Sequence, residues 1–331
     1  MKPTIYDVAE KAGVSIATVS KVINNTGRIS DKTRKKVNLI MSELNYHPSF
    51  VASALTGKRT QTIGLLIPNI ANPFYSEFAR NLEDRAHELG YSIVICSTDY
   101  NEEKEKKYVS LLMRKQVDGF IITSGFTNVG LIQEVIDQKI PVALIAYSIP
   151  TLSLNSIGID DYKAGYQATA HLAELGHKRI AVIAETVQSS NDRVRGYKDA
   201  LKEYQLEFDI NLYIETKATV EDGEIATDKL LNVEEPPTAI FAFNDILAIG
   251  TMQCAKKRGL SIPENLSVIG CDNTILALIP SLTTMGQPLR EMGYEAADIL
   301  IEEIEGKKTR KHQILLSPEL VIRDSTGPLT I

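Results

Sequence analysis

Along residues 4–45 the apolar positions recur at helical spacing. Ile5, Val8, Ala9 and Ala12 follow i, i+3, i+4, i+7 and make one face of a first helix over 5–12. Thr4, with Asp7 three residues on, reads as a capping box, and Gly13 as the stop. A second helix begins near Ser15, a good N-cap. It turns Val19, Val22 and Ile23 inward and leaves Ile16, Ala17, Ser20 and Lys21 outward. A third starts after Ser30, buries Val37, Ile40, Met41 and Leu44, and carries Lys32, Arg34, Lys35 and Lys36 on its other side. The next stretch, YHPSFVASALTGKR (46–59), has Pro48 where a helix could start and Gly57 where it would stop. The eight residues between, Ser49 to Thr56, are too few for a stable isolated helix. This segment is expected to order only when something packs against it.

From Thr62 the pattern changes. β-rich apolar runs at 62–68, 91–97, 119–125 and 141–147 alternate with helical stretches, the first from Pro73 to Leu89 with Asn72 as its cap. After a helix near 164–175 the alternation restarts at 179–185. It continues with a helix over 192–204, a run at 239–243, a helix over 245–258 and a run at 266–271. Two such halves predict two doubly wound parallel sheets and a two-lobed α/β body. Ligands of such folds bind outside the carboxyl ends of the strands.

Charge separates the two regions. The chain carries a net −6, yet residues 1–60 hold ten Lys/Arg against four Asp/Glu, a net of +6. The remaining 271 residues hold 26 against 38, a net of −12. A basic head on an acidic body points to a polyanion met by the head alone. No apolar run of about 18 residues spans a membrane, and the opening MKPTIYDVAEKAG lacks a secretory pattern. Cys96, Cys254 and Cys271 match no zinc spacing, and no metal or cofactor is expected. An enzyme is disfavoured: there is no P-loop, no G-x-S-x-G and no Gly-rich dinucleotide fingerprint after the first strand. His171 and His177 read as packing or capping residues.

Two short helices joined at a glycine, the second with small and polar outward residues, form a helix-turn-helix. The second helix of such a motif lies in the DNA major groove. Ser15 and Thr18 can bond phosphates or bases, Ala17 can touch a thymine methyl, and Lys21 can reach a guanine, though without the fork of Arg. A three-helix protein-interaction bundle with a solvated basic face fits the same pattern. In the body, Phe74, Ser124, Arg193, Asn244 and Asp272 stand at strand ends or helix starts and are the candidate ligand-binding residues. Phe74 could stack on a ring, and Arg193 could hold hydroxyls or an anion with its planar fork. Asn244 could equally be a helix cap.

The stretch YDVAEKAGVSIATVSKVINNTGRISDKTRKKV resembles the DNA-binding signature of the lactose/galactose repressor (LacI/GalR) family, and the likeness runs through to LVIRDST at 320–326. Within the family the chain is similar to the catabolite-control and degradation-activator branches of Gram-positive bacteria. The resemblance implies an N-terminal all-α helix-turn-helix domain (1–45), a hinge helix or linker (46–59), and a periplasmic-binding-protein-like effector-binding and dimerisation domain (60–331). The N-lobe would comprise about 60–160 and 291–321, and the C-lobe about 161–290 and 322–331, with crossings near 160, 290 and 322. Ile16, Ala17 and Lys21 would read bases. Tyr6, Ser15, Thr18, Ser20, Asn24, Arg28 and Thr33 would contact backbone or bases, and Leu55 would wedge into the minor groove. Arg193, Asn244 and Asp272 would meet ligand hydroxyls or polar ring atoms.

Three departures from the family pattern stand out. Lys21 replaces Arg, Ser49 replaces Asn, and Ala218 occupies a position usually aromatic in the ligand site. The implied protein is a cytoplasmic, nucleoid-associated regulator, a repressor in the first instance. It would bind a double-stranded, pseudo-palindromic operator as a homodimer, since no C-terminal heptad run follows. Its effector would be a sugar, sugar phosphate or nucleotide-like metabolite. A phosphocarrier coregulator protein acting on a degenerate pocket is the alternative.

Overall fold

The computed structural model describes residues 3–23, 26–46, 59–307 and 310–329. The chain divides into two compact units, 1–60 and 61–331.

The first unit packs α1 (Ile5–Ala12), α2 (Ile16–Ile23) and α3 (Asp31–Glu43) around Val8, Ala9, Ala12, Val19, Val22, Val37 and Ile40. The Asp7 carboxylate accepts from the Thr4 N–H at 2.6 Å and from its hydroxyl at 2.7 Å, holding the first turn of α1. Gly13 ends α1 at φ +63°, a left-handed conformation that costs a residue with a Cβ about 1 kcal/mol or more. The Ser15 hydroxyl accepts from the Thr18 N–H at 3.1 Å and so starts α2 two residues beyond that turn. Ser30 does the same for α3 through Thr33 at 3.2 Å. Ile23, Met41 and Leu44 flank the core, half-buried.

The second unit contains two six-stranded sheets. The first orders β11-β5-β4-β3-β1-β2. Its members are β1 (Thr62–Ile67), β2 (Ser92–Ser97), β3 (Gly119–Thr123), β4 (Val142–Ile145), β5 (Asn155–Ile159) and β11 (Gln313–Leu316), all parallel. The second orders β12-β10-β9-β8-β6-β7. Here β6 is Ile180–Glu185, β7 Tyr213–Thr216, β8 Ala239–Ala242, β9 Ser267–Asp272, β10 Thr283–Gly286 and β12 Glu319–Val321. All of these are parallel except β12, which runs antiparallel to β10.

Helices α4 (Pro73–Glu88), α5 (Glu102–Arg114), α6 (Val129–Asp137) and α12 (Leu289–Ile304) serve the first sheet, and α4 packs on α12. Helices α7 (Asp161–Glu174), α8 (Gln188–Glu203), α9 (Val220–Leu230), α10 (Asp245–Lys257) and the short α11 (Ile275–Leu278) serve the second. The chain passes between the sheets after β5, between β10 and α12, and between β11 and β12. This corrects the expected third crossing near 322: Glu319–Val321 already pairs with Thr284–Gly286, so the passage falls at 317–318. Only Ser317 and Pro318 separate the two edge strands, which leaves little pattern to place the crossing.

Glycines set the tightest helix contacts. A Cβ on Gly165 of α7 would stand 2.0 Å from the Arg193 carbonyl oxygen, and one on Gly196 of α8 would stand 2.1 Å from that of Tyr162. Backbone therefore meets backbone where α7 crosses α8. No helix among the described residues is long and apolar enough to cross a membrane. Gly165→Ala is expected to destabilise the second unit by about 1–3 kcal/mol, the usual cost of overpacking. A urea midpoint unchanged from wild type would show that the helices part freely.

Candidate DNA-reading face and interlobe crevice

The candidate residues of the first unit lie mainly on its outside. Tyr6 is 67% and Ile16 39% exposed, and Ser15, Ala17, Lys21 and Arg28 are exposed too. Thr18, Ser20 and Thr33 are half-buried. Val19 and Val22 pack inward from the same helix, so the apolar core fixes which side of α2 remains open. The aliphatic stem of Lys21 lies beside Gly27, whose absent Cβ would come within 3.4 Å of it. Ser15 and Thr18 bond each other at 2.9 Å, hydroxyl to hydroxyl, and keep lone pairs or protons for a partner. Asn24 and Leu55, together with positions 47–58 of the expected hinge, lie outside the described residues.

In the second unit the five candidates Phe74, Ser124, Arg193, Asn244 and Asp272 line one cavity between the lobes. Asn72, Tyr75, Ala146, Glu185, Val187, Ser189 and Gln287 complete it. Its volume of about 30 Å³ admits a water or two, far below the several hundred Å³ of a typical ligand pocket. The lobes are closed over it. From the first lobe the Tyr100 hydroxyl donates to Glu185 Oε1 of the second at 3.0 Å. The Ser148 N–H donates to Gln188 Oε1 at 3.1 Å, and the Ile275 N–H to Glu77 Oε1 at 3.1 Å. Ala218 precedes the Thr219 cap of α9 and is not among the lining residues.

Each polar candidate already has a protein partner. The Arg193 guanidinium donates through Nε to Asp161 at 2.8 Å and through a terminal nitrogen to the Phe243 carbonyl. Asn244 accepts from the Leu247 N–H at 2.9 Å, capping α10, and donates to Glu185 Oε2 at 3.2 Å. Asp272 accepts from Gln287 Nε2 at 2.7 Å. Ser124 and the Tyr75 hydroxyl are 3.3 Å apart, and Phe74 meets Tyr75 edge to face with ring centroids at 5.1 Å. Glu185, Tyr75 and Tyr100 were not singled out from sequence. The available signal was a lone acid closing the apolar run RIAVIAE at the carboxyl end of a strand.

Burial governs the charges. It lifts the Glu185 carboxyl above its ordinary range, against the hydrogen bonds from Tyr100 and Asn244. It lifts Asp161 as well, outweighing the pull of Arg193. Asp245, whose oxygens accept from Thr274 and Thr284, is pushed up to about 6, first by burial. Asp272 is raised well above the usual carboxylate value by burial and then by the neighbouring Asp245. The Cys271 thiol is also pushed up by burial. Among the described residues no cluster of three His, Cys, Asp or Glu could hold a metal.

A helix-turn-helix unit together with two mostly parallel sheets flanking a polar crevice is the architecture of a DNA-binding transcriptional regulator. Residues 4–49 match the bacterial regulatory proteins of the lacI family, and residues 169–326 match the periplasmic binding protein-like domain. The HTH-type transcriptional regulator DegA of Bacillus subtilis (strain 168) is 48% identical, over 99% of each chain. The HTH-type transcriptional repressor PurR of Vibrio atlanticus (strain LGP32) is 38% identical over 98% of this chain and 99% of its own. The lac repressor dimer bound to operator and the anti-inducer ONPF matches with a TM-score of 0.87 at 32% identity, over 99% of this chain and 100% of that one. The chain belongs to the lacI family of bacterial regulatory proteins and is a DNA-binding transcriptional regulator.

The raised carboxyl of Asp272 has a consequence for stability. A folded-state value above the unfolded one holds a proton that the unfolded chain releases. The stability so gained is present at low pH and is lost as pH rises from the ordinary carboxylate range through the folded value. Asp272→Asn is therefore expected to shrink the fall in melting temperature of the second unit between about pH 5 and about pH 8. An equal or larger fall in the variant would contradict it.

Proposed function

We propose that the chain is a repressor that binds a pseudo-palindromic operator as a homodimer, in which the open side of α2 reads bases in the major groove. The observation that carries this reading is the division of α2. Val19 and Val22 are buried in the core, while Ser15, Ile16, Ala17 and Lys21 stand exposed on a unit of net charge +6. A buried apolar stripe opposite small, polar and cationic residues is what groove insertion requires. In the family pattern Tyr6, Thr18, Ser20, Asn24, Arg28 and Thr33 would hold backbone or bases, and Leu55 would enter the minor groove. Relatives described as a repressor and as a repressor dimer bound to operator support the same reading.

Homodimer formation also has support on the surface of the second unit. Ile275, Leu278 and Ile279 are 51%, 55% and 81% exposed and sit beside Pro280 at one end of the second sheet. Exposed apolar side chains this close in sequence would suit a contact surface. In this reading the crevice is the effector site, with Phe74, Ser124, Arg193, Asn244 and Asp272 facing the small molecule. Its occupancy alters lobe closure and, through the hinge, the affinity for operator. Such coupling is typically worth about 1–3 kcal/mol.

The test is selection from random duplexes by the purified full-length protein, with and without Lys21→Ala. Wild type is expected to enrich a pseudo-palindrome. The variant is expected to lose preference at one base pair in each half-site, at a cost of about 1–3 kcal/mol there. A selection that enriches no sequence would overturn base reading by α2, and an unchanged preference in the variant would remove Lys21 from it.

A further inference from the structure

Between β2 and α5 two consecutive residues, Asp99 and Tyr100, hold left-handed backbone at φ +53° and +54°. Residues with a Cβ are strained there, and such strain persists where the surroundings over-determine it. This turn is pinned from several sides. The Asp99 N–H donates to the Pro68 carbonyl at 2.7 Å. The Asp99 carboxylate pairs with Lys104 and accepts from the Ser97 hydroxyl at 3.3 Å. Gly125, at φ +89°, makes room for the tyrosine ring. A Cβ on it would stand 2.8 Å from Tyr100 Cε1 and 2.8 Å from Pro68 Cγ.

The turn delivers one hydroxyl. From the first lobe Tyr100 donates to Glu185 Oε1 of the second at 3.0 Å. The tyrosine remains 44% exposed, so burying its ring does not account for the strained turn that carries it. The receiving side is fixed as well. Glu185 Oε2 accepts from Asn244 at 3.2 Å, and Asn244 is held in place as the cap of α10. On the other side the Tyr75 hydroxyl bonds to that of Tyr100 and lies 3.3 Å from the hydroxyl of Ser124. A line of hydrogen bonds therefore runs from Ser124 through Tyr75, Tyr100 and Glu185 to Asn244, and it crosses between the lobes at Tyr100. The other two bridging bonds end on the exposed side chain of Gln188 and the half-buried one of Glu77.

We infer that Tyr100 is the latch of the crevice: the turn at 99–100 presents its hydroxyl to Glu185, and breaking that one bond frees the lobes to part. A molecule that bonds to Glu185 Oε1 must take the place of Tyr100, so the latch is where occupancy of the crevice is converted into opening. The latch itself acts whether or not the crevice receives an effector, and it is tested apart from that reading.

The test is amide hydrogen exchange, read by mass spectrometry, on the full-length protein without added ligand. The Ser148 and Ile275 amides are the reporters, because each donates across the lobes and neither is bonded to Tyr100. Exchange of such protons follows the opening that breaks their bonds. Tyr100→Phe, which removes only the hydroxyl, is expected to speed both reporters by about three- to tenfold, the effect of one lost hydrogen bond, with the melting temperature close to wild type. Tyr100→Leu, which removes the ring as well, is expected to speed them no further. Acceleration confined to residues 97–101 and 124–126, or none at all, would reduce Tyr100 to local packing and overturn the latch. Uniform acceleration across the second unit with a lowered melting temperature would make its role one of general stability and overturn it too. Reporters silent in Tyr100→Phe but fast in Tyr100→Leu would assign closure to the ring and reject the hydroxyl. None of these readouts involves operator or effector, so failure of the latch is distinct from failure of the effector reading.

Discussion

The second unit is organised around one buried guanidinium. Arg193 sits where α7 and α8 cross with only glycine between their backbones, and this proximity sets its Nε 2.8 Å from Asp161 at the start of α7. The same group reaches the carbonyl of Phe243, just past the end of β8. A helix start, a helix interior and a strand end are thereby tied at one point beside the crevice. Such a pair does not make the fold stable in itself, since an apolar pair of similar volume would often serve as well. Removing one partner is different, because it strands the other charge in the interior at a cost of about 3–5 kcal/mol. What the pair supplies is position.

Closure of the lobes is held more lightly. The contacts that bridge them include three hydrogen bonds, Tyr100 to Glu185, Ser148 to Gln188 and Ile275 to Glu77, each with a partner that water could replace on opening. Hydrogen bonds of this sort contribute about 0.5–1.5 kcal/mol each, somewhat more when one side is charged. A ligand with differential affinity of a few kcal/mol can therefore shift the balance. Some backbone strain lies in the same place. Ala146, Asp272 and Asn273 adopt φ of +61°, +128° and +61°, and two of these residues line the cavity. Strain of this size, of order 1–3 kcal/mol per residue, persists where surrounding structure over-determines it.

The head was largely legible in the sequence because its signals are local. A cap, a glycine stop and an i, i+3, i+4 stripe lie within a few residues of each other, and Ile5–Ala12 follows from them directly. The body was legible where strands are apolar runs, as at Thr62–Ile67 and Ile180–Glu185. Strands β7 and β11 lie at sheet edges, and their residues Tyr213–Thr216 and Gln313–Leu316 are half solvated, so neither hydrophobicity nor strict alternation announces them. Strand β10 hides for the opposite reason. Thr283 and Thr284 are wholly buried, with hydroxyls satisfied by Thr326 and Arg323 on one side and by Asp245 on the other, partners distant in sequence. The role of Glu185 was invisible in the same way, because its partner Tyr100 arrives from the other lobe.

Asn244 shows why a residue's two readings need not compete. Its side-chain oxygen accepts from Leu247 and starts α10, which is the structural reading. Its amide nitrogen is then turned toward Glu185 in the crevice, which is where a ligand would find it. Asn72 divides its work similarly, with Oδ1 taking the Phe74 N–H at 3.0 Å while the residue lines the cavity. Helices that begin at the carboxyl ends of parallel strands must be capped there, and at α4 and α10 the caps are bifunctional amides. The crevice acquires oriented polar groups as a by-product of starting its helices. Those groups are rigid because the helix holds them. What distinguishes one such crevice from another is then the ionisable groups placed among the caps, here Glu185, Arg193 and Asp272.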